Sequence, residues 1–281
     1  MYLLKSFLAL LLGAACFVAA TVHAQVPDSF MRLAEDAEGD PQSLQVALAH
    51  YRDQQGRTLH LVGAIHVADR SYFKDLQRRF DDYEVVLYEM VGDPDGKGER
   101  PAGTGLNLVG LLQGGMKDAL GLAFQLEEID YDRPNFVHAD MTATEFSDSM
   151  TSRNESWMGT FMQMWAASTV SQDAAKQQAQ VLRVLFASDR QLALKRMMAE
   201  SMIDQARVME VLADEDGSVL ITERNRKALT VLGDELDDGA SNVALFYGAG
   251  HLPDFHRRLD DEFGFELQNI EWLDAWDLGD A

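Results

Sequence analysis

The sequence predicts an α/β fold, with a small central mixed sheet flanked by helices and a large helical insertion in the middle of the chain. Apolar stretches typical of strands alternate with amphipathic helical stretches near both ends, and residues 143–236 show helical spacing with few breaks. The composition is that of a folded protein, because 47% of the 281 residues are hydrophobic and 25% are charged. We therefore expect one domain over residues 25–281, with the helical insertion at about 143–236.

The N-terminus, residues 1–24, has the features of a secretory signal peptide. Lys5 supplies a positive charge, residues 6–22 are apolar, and residues 22–24 resemble the small-residue motif at which a signal peptidase cleaves. We expect a periplasmic or secreted protein, with an uncleaved anchor and a lipoprotein acylated on Cys16 as the alternatives. Cys16 is the only cysteine of the sequence, so a cleaved chain has no thiol or disulfide chemistry. No later stretch reaches the roughly 18 apolar residues of a membrane span.

Strands and helices then follow in chain order. Two apolar stretches, residues 44–51 and 58–63, are separated by a polar turn and predict a β-hairpin, in which His50 and His60 are expected to have a cross-strand role. Residues 92–110 are rich in glycine and predict a long loop, which directly follows Glu89 as a lid would. The remaining predictions are a helix over 71–80, a strand over 83–88, a strand over 242–247, a helix opening at Pro253, a strand over 263–270 and a polar end at 274–280.

Methionine is concentrated in the helical block. Ten of the 13 methionines lie between Met116 and Met209, and Trp157 and Trp165 accompany them. Packing between helices is the favoured interpretation. An adaptable surface for an apolar ligand or a partner chain is the alternative.

The charge of the chain limits its partners. With 24 Lys and Arg against 46 Asp and Glu, the net charge is −22. Such a surface repels phosphate backbones, so we expect no nucleic acid partner, whereas it would concentrate metal cations near a cleft.

Two short motifs of the same form mark the candidate site. Gly63–His66 follows one predicted strand, Gly248–His251 follows another, and Glu89 ends a third. Open α/β sheets bind ligands at the carboxyl ends of their strands, where a glycine would let the backbone turn sharply. Two imidazoles and a carboxylate with open positions form a catalytic metal site, so His66, Glu89 and His251 are the candidate ligands. The alternative is that each histidine only makes hydrogen bonds near a strand end.

Further candidates carry less weight. His138 and Asp140 follow another predicted strand and are candidates for orienting a metal-bound histidine, although Asp140 is equally suited to cap the next helix. Glu223, Arg224 and Asn225 stand where a helix begins, and Glu223, like His138 and Asp140, is a weaker candidate metal ligand. Arg224 is suited to hold a carboxylate, a phosphate or a developing oxyanion, and a structural ion pair is its alternative role.

These motifs resemble the TraB/GumN family, which includes the Tiki-type proteins. The resemblance rests on residues 63–69, the strand leading to Glu89, the Glu223-Arg224-Asn225 triplet and residues 248–253, in that order. It implies a small α/β sheet with helical insertions, similar to the erythromycin-esterase/ChaN-like fold. For the Tiki members it implies a metal-dependent peptidase. Carried over, the metal ligands are His66, His251 and Glu89, with Arg224 and Asn225 lining the site.

The sequence therefore predicts an exported metal-dependent hydrolase, a peptidase acting on peptide or protein substrates. Glu89 would be a ligand or the general base, and Mn²⁺, Co²⁺ and Zn²⁺ all suit the ligand set. Two other functions stay open: a haem or iron carrier of the same fold, and a partner-binding envelope protein that uses the methionine-rich helices. Assembly into a homo-oligomer also stays open.

Overall fold

The computed structural model describes residues 27, 29–92, 120–153, 182–212 and 218–280, and for residues 205–212 the backbone alone. The expected signal peptide, nearly all of the glycine-rich loop and much of the methionine-rich block lie outside these residues. Among the described helices, none is both long enough and apolar enough to cross a membrane.

The fold is mixed α/β, as predicted, with helices on a mixed central sheet. Its strands are β1 (Met31–Glu35), β2 (Pro41–Arg52), β3 (Thr58–Ala64), β4 (Val67–Ala68), β5 (Val85–Tyr88), β6 (Ala123–Phe124), β7 (Phe136–His138), β8 (Asn242–Gly248) and β9 (Glu266–Asp277). Its α-helices are α1 (Arg70–Arg79), α2 (Gln125–Glu128), α3 (Ala143–Ser152), α4 (Arg190–Leu212), α5 (Arg224–Asp237) and α6 (Leu252–Phe263). A 3₁₀ turn (Ala249–His251) joins β8 to α6, and a π-helical turn (Val219–Glu223) leads into α5.

Seven described strands form the main sheet. β3, β8, β5 and β7 are parallel neighbours in that order. The long strand β2 pairs antiparallel with β9 along one edge, and with β1 and β3, end to end, along the other. β4 and β6 form a separate two-stranded sheet. The parallel half therefore gathers four strand ends at one edge, which is where such sheets bind ligands.

Helices cover both faces of the sheet because its strands alternate buried side chains between two cores. In β8, Phe246 faces a core shared with α1 and α4, whereas Leu245 and Tyr247 face a core shared with α5 and α6. Since α4 and α5 both pack against these cores, two helices of the predicted block belong to the flanking layers. The insertion as a whole stays a prediction.

Most predicted elements are confirmed, and the C-terminal end differs. The predicted hairpin corresponds to β2 and β3, and the helix predicted over 71–80 corresponds to α1. The strand predicted over 263–270 was wrong at its start, because Phe263 still belongs to α6 and Gly264, at φ 69°, ends that helix. The polar end was also wrong in part, because β9 continues to Asp277 and buries Trp276 completely.

A polar group that we call the histidine cluster lies at the amino-terminal end of β3. It comprises His50, His60, Arg79, Tyr83 and Glu271. His50 and His60 pair across the hairpin, as predicted, with ring centroids 4.4 Å apart. His60 Nδ1 lies 2.6 Å from the Tyr83 hydroxyl, and Arg79 donates two hydrogen bonds to Glu271. Burial, with a smaller contribution from His50, lowers the pKa of His60 to about 4.

Candidate metal and catalytic site

The predicted site residues follow four parallel strands whose carboxyl ends lie at one edge of the sheet. β8 lies between β3 and β5, and β7 lies beyond β5. His66, His251, Glu89 and Asp140 follow the carboxyl ends of β3, β8, β5 and β7, respectively. The order of the strands explains how residues far apart in the sequence come together.

Glu89 stands at the centre of this group, with both carboxylate oxygens engaged. Its Oε1 accepts a 2.5 Å hydrogen bond from Arg224 Nη2, and its Oε2 accepts a 2.6 Å hydrogen bond from the Gly248 backbone. His251 Nε2 lies 3.5 Å from Oε1. Burial alone would raise the pKa of Glu89, but His251, Arg224, His66 and the Gly248 N–H together lower it to about 2. Glu89 is therefore an anion at neutral pH.

Neighbouring atoms lie so close to the glycines of the two motifs that they leave no room for a side chain, and this explains the glycines better than a special backbone conformation does. A Cβ on Gly248 would lie 3.1 Å from Glu89 Oε2, and one on Gly63 would lie 2.3 Å from a methyl group of Val46. Gly248 has φ −50°, which any residue adopts. At Gly248 the glycine is therefore explained by the close approach of Glu89 and not by a backbone conformation reserved for glycine.

His251 is buried and its imidazole is fixed through Asn225. Its Nδ1 lies 2.6 Å from Asn225 Oδ1, while Asn225 Nδ2 donates to the His251 carbonyl (3.0 Å) and to Asp254 Oδ2 (2.9 Å). An amide oxygen only accepts, so the proton of the neutral ring is on Nδ1 and Nε2 keeps its lone pair. Burial lowers the pKa of His251 to about 4, against the opposing effect of Glu89. The ring is therefore neutral at physiological pH.

His66 is exposed, yet its ring is held in a similar way. Its Nδ1 lies 3.2 Å from Gln125 Oε1, at the start of α2. The Gln125 backbone donates to the His66 carbonyl, and Gln125 Nε2 donates to the Tyr131 hydroxyl. Here too the amide oxygen can only accept, so Nδ1 is the donor, and in the neutral ring Nε2 carries the lone pair.

Arg224 joins two buried carboxylates. Besides Glu89, its Nε and Nη2 donate to Asp140 at 3.0 and 2.6 Å. Asp140 is 1% exposed, and it does not cap the next helix, because Thr142 does so in a capping box with Glu145. The π-helical turn directly before Arg224 sets its position, and such turns are frequent at functional sites.

The structure does not bring every candidate to this group. His138 ends β7, but its Nε2 lies 2.6 Å from the Met90 carbonyl. The Glu223 carboxylate is bonded to Arg153 and Arg226. Neither residue has a described contact with Glu89 or His251.

The geometry gives a partial fit to a metal ion. His251 Nε2 and Glu89 Oε1 face each other at 3.5 Å, both with lone pairs. In the described part of the chain, no three His, Cys, Asp or Glu side chains are grouped closely enough to enclose an ion.

Sequence reasoning missed two residues of the site, Gln125 and Asp254. Asp254 stands three residues after His251 in the first turn of α6, where an acidic residue with Pro253 looks like an ordinary helix start. Gln125 is 59 positions from His66 and carries no local signal. Comparisons with protein-family models, with curated proteins and with solved structures found no match to this chain.

Proposed function

We propose that this chain is an exported metal-dependent hydrolase of the peptidase kind, related to the TraB/GumN proteins. The observation that carries the proposal is the shared hydrogen-bonding pattern of His66 and His251. In both, Nδ1–H donates a hydrogen bond to a side-chain amide oxygen, that of Asn225 for His251 and that of Gln125 for His66, so the Nε2 atom of each neutral ring carries a lone pair. Histidines that ligate metals are typically oriented in this way, by a hydrogen bond from the other ring nitrogen.

His251 and Glu89 are suited to share a cation. Two lone-pair donors 3.5 Å apart have no proton between them, since the neutral imidazole carries its proton on Nδ1 and the carboxylate is ionised. Two ligands of one tetrahedral ion, each about 2.1 Å from it, lie roughly 3.4 Å apart. The exposed His66 is our proposed third ligand, and its side chain would have to approach the other two, because the three are not grouped closely enough to enclose an ion in the described structure. Mn²⁺, Co²⁺ or Zn²⁺ bound there would lower the pKa of a water toward neutrality and polarise a substrate carbonyl.

We assign Glu89 to ligation, because a carboxylate with a pKa of about 2 is a poor general base at neutral pH. Its bonds from Arg224 and Gly248 hold it in a fixed orientation. Arg224 and Asn225 are positioning residues in this proposal. The Nε and Nη2 groups of Arg224 are already bonded to Glu89 and Asp140, which favours a structural ion pair over capture of a substrate carboxylate.

The choice of a peptide substrate rests on the family resemblance and calls for a direct test. Purified protein would be freed of metal with chelator, supplied with Mn²⁺, Co²⁺ or Zn²⁺, and incubated with a peptide library read by mass spectrometry. We expect metal-dependent cleavage that falls more than about 100-fold in His66→Ala and in His251→Ala.

His256→Ala is the matched control for this experiment. His256 lies on α6, five residues after His251, and bonds the Tyr51 hydroxyl instead of the site. Its variant should keep full cleavage. Cleavage that persists with chelator and in both site variants would overturn the proposal, and so would no cleavage with any of the three metals.

A further inference from the structure

Asp254 is a buried carboxylate that the proposed chemistry does not use directly. It is 2% exposed, in the first turn of α6. Its Oδ2 accepts a hydrogen bond from Asn225 Nδ2 at 2.9 Å and forms an ion pair with Arg258 Nε at 3.2 Å, and its Oδ1 accepts a hydrogen bond from Arg257 Nη2 at 2.8 Å. A buried carboxylate is costly unless it is fully paired, and here part of the pairing is with a neutral amide.

The contact with Asn225 has a consequence for the amide. If the Asn225 amide were turned over, its oxygen would face two acceptors, the Asp254 carboxylate and the His251 carbonyl. That orientation loses two hydrogen bonds and places oxygen against an anion. Asp254, together with the His251 carbonyl, thus fixes the Asn225 oxygen toward the His251 ring.

We propose that Asp254 is a positioning residue that acts through Asn225, keeping the His251 proton on Nδ1 and presenting the Nε2 lone pair to Glu89. The tautomer is inferred from the hydrogen bonds alone, whereas its role in metal binding and catalysis rests on the proposed function. Asp254 would then belong to an outer layer of the site that extends from α6 through α5 to the 3₁₀ turn after β8.

The direct readout is the protonation pattern of the His251 ring in metal-free protein. Two-bond ¹H–¹⁵N NMR distinguishes a protonated from an unprotonated ring nitrogen, with His251→Gln used to assign the signal. We expect the proton on Nδ1 in the native chain. A native ring with its proton on Nε2 would overturn the proposal whatever the variants do.

Three variants then test the role of Asp254. Asp254→Ala should give a mixture of tautomers and weaken Zn²⁺ binding by about 10–100-fold. Asp254→Asn keeps an acceptor oxygen for Asn225 Nδ2 and should restore both properties. Arg257→Ala removes only the bond to Oδ1, from a side chain that is 56% exposed, and should leave both unchanged. An Asp254→Ala protein that folds and keeps the pure Nδ1 tautomer would overturn the proposal.

The two proposals fail in different ways. A native chain that shows the Nδ1 proton, loses it in Asp254→Ala and yet binds none of the three metals would overturn the proposed function and support the positioning role. A chain that binds metal as proposed, with a tautomer that does not respond to Asp254→Ala, would overturn the positioning role alone.

Discussion

Removing the Arg224 guanidinium should destabilise the protein far more than removing a surface arginine. Arg224→Ala leaves Glu89 and Asp140, whose side chains are 12% and 0% exposed, without the cation that donates to them at 2.5, 2.6 and 3.0 Å. Breaking a buried ion pair by deleting one partner costs about 3–5 kcal/mol. We expect the free energy of unfolding to fall by about 4 kcal/mol. Arg224→Lys should lose about half as much, because an ammonium cannot reproduce the forked contact.

Urea unfolding followed by circular dichroism measures this loss, in chelator so that metal binding to the folded state does not contribute. Arg226→Ala is the matched control on the same helix. The Arg226 side chain is 56% exposed and pairs with Glu223, so its removal should cost below about 1 kcal/mol. An Arg224→Ala protein that is destabilised no more than Arg226→Ala would refute the reasoning that these carboxylates depend on one cation.

Three further predictions follow from single contacts. Gly248→Ala should weaken Zn²⁺ binding about tenfold in a calorimetric titration, because the new Cβ would displace the Glu89 carboxylate. Gly233→Ala is the control and should leave Zn²⁺ binding unchanged, because its Cβ would make only an ordinary van der Waals contact. Gln125→Ala should weaken Zn²⁺ binding by about 10–100-fold, because it removes the hydrogen-bond acceptor for His66 Nδ1. Gln125→Glu keeps an acceptor oxygen and should preserve the binding. Folding lowers the pKa of His60 from 6.5 to about 4, so His60 is protonated at a higher pH in the unfolded chain than in the folded chain. The free energy of unfolding should therefore fall as the pH drops from 6.5 to about 4, by at most about 1.4 kcal/mol per pH unit. Urea titrations from pH 7 to 4 should show a shallower slope for His60→Phe, and equal slopes would count against the buried neutral state of the histidine cluster.

The sequence predicted the parts of the fold whose apolar pattern can be recognised locally. β5 and β8 are short continuous apolar runs that are buried almost throughout, and the buried residues of α1 follow a helical spacing. β1 was missed because Met31 is its only buried residue, so the strand has no regular alternation of buried and exposed positions. The end of β9 was missed because its register against β2 shifts at two places, which breaks the period of two on which a strand prediction depends.

The site was predictable to the extent that it depends on strand ends. Glu89 and His251 come together because their strands are parallel neighbours, and the motifs placed them at those ends. The partners of the imidazoles were not predictable, because Gln125 and Asp254 reach the site through tertiary packing. The direction of the Arg224 side chain was not predictable either, since a Glu-Arg-Asn triplet does not say whether the guanidinium faces substrate or neighbouring carboxylates.

Metal content tests the central claim most directly. Elemental mass spectrometry would compare the native protein, purified without chelator, with the His66→Ala/His251→Ala double variant and the His256→Ala control. We predict about one transition-metal ion per chain in the native and control proteins and none in the double variant. Native protein that stays free of metal after exposure to Mn²⁺, Co²⁺ and Zn²⁺, or a double variant that keeps its ion, would contradict the account.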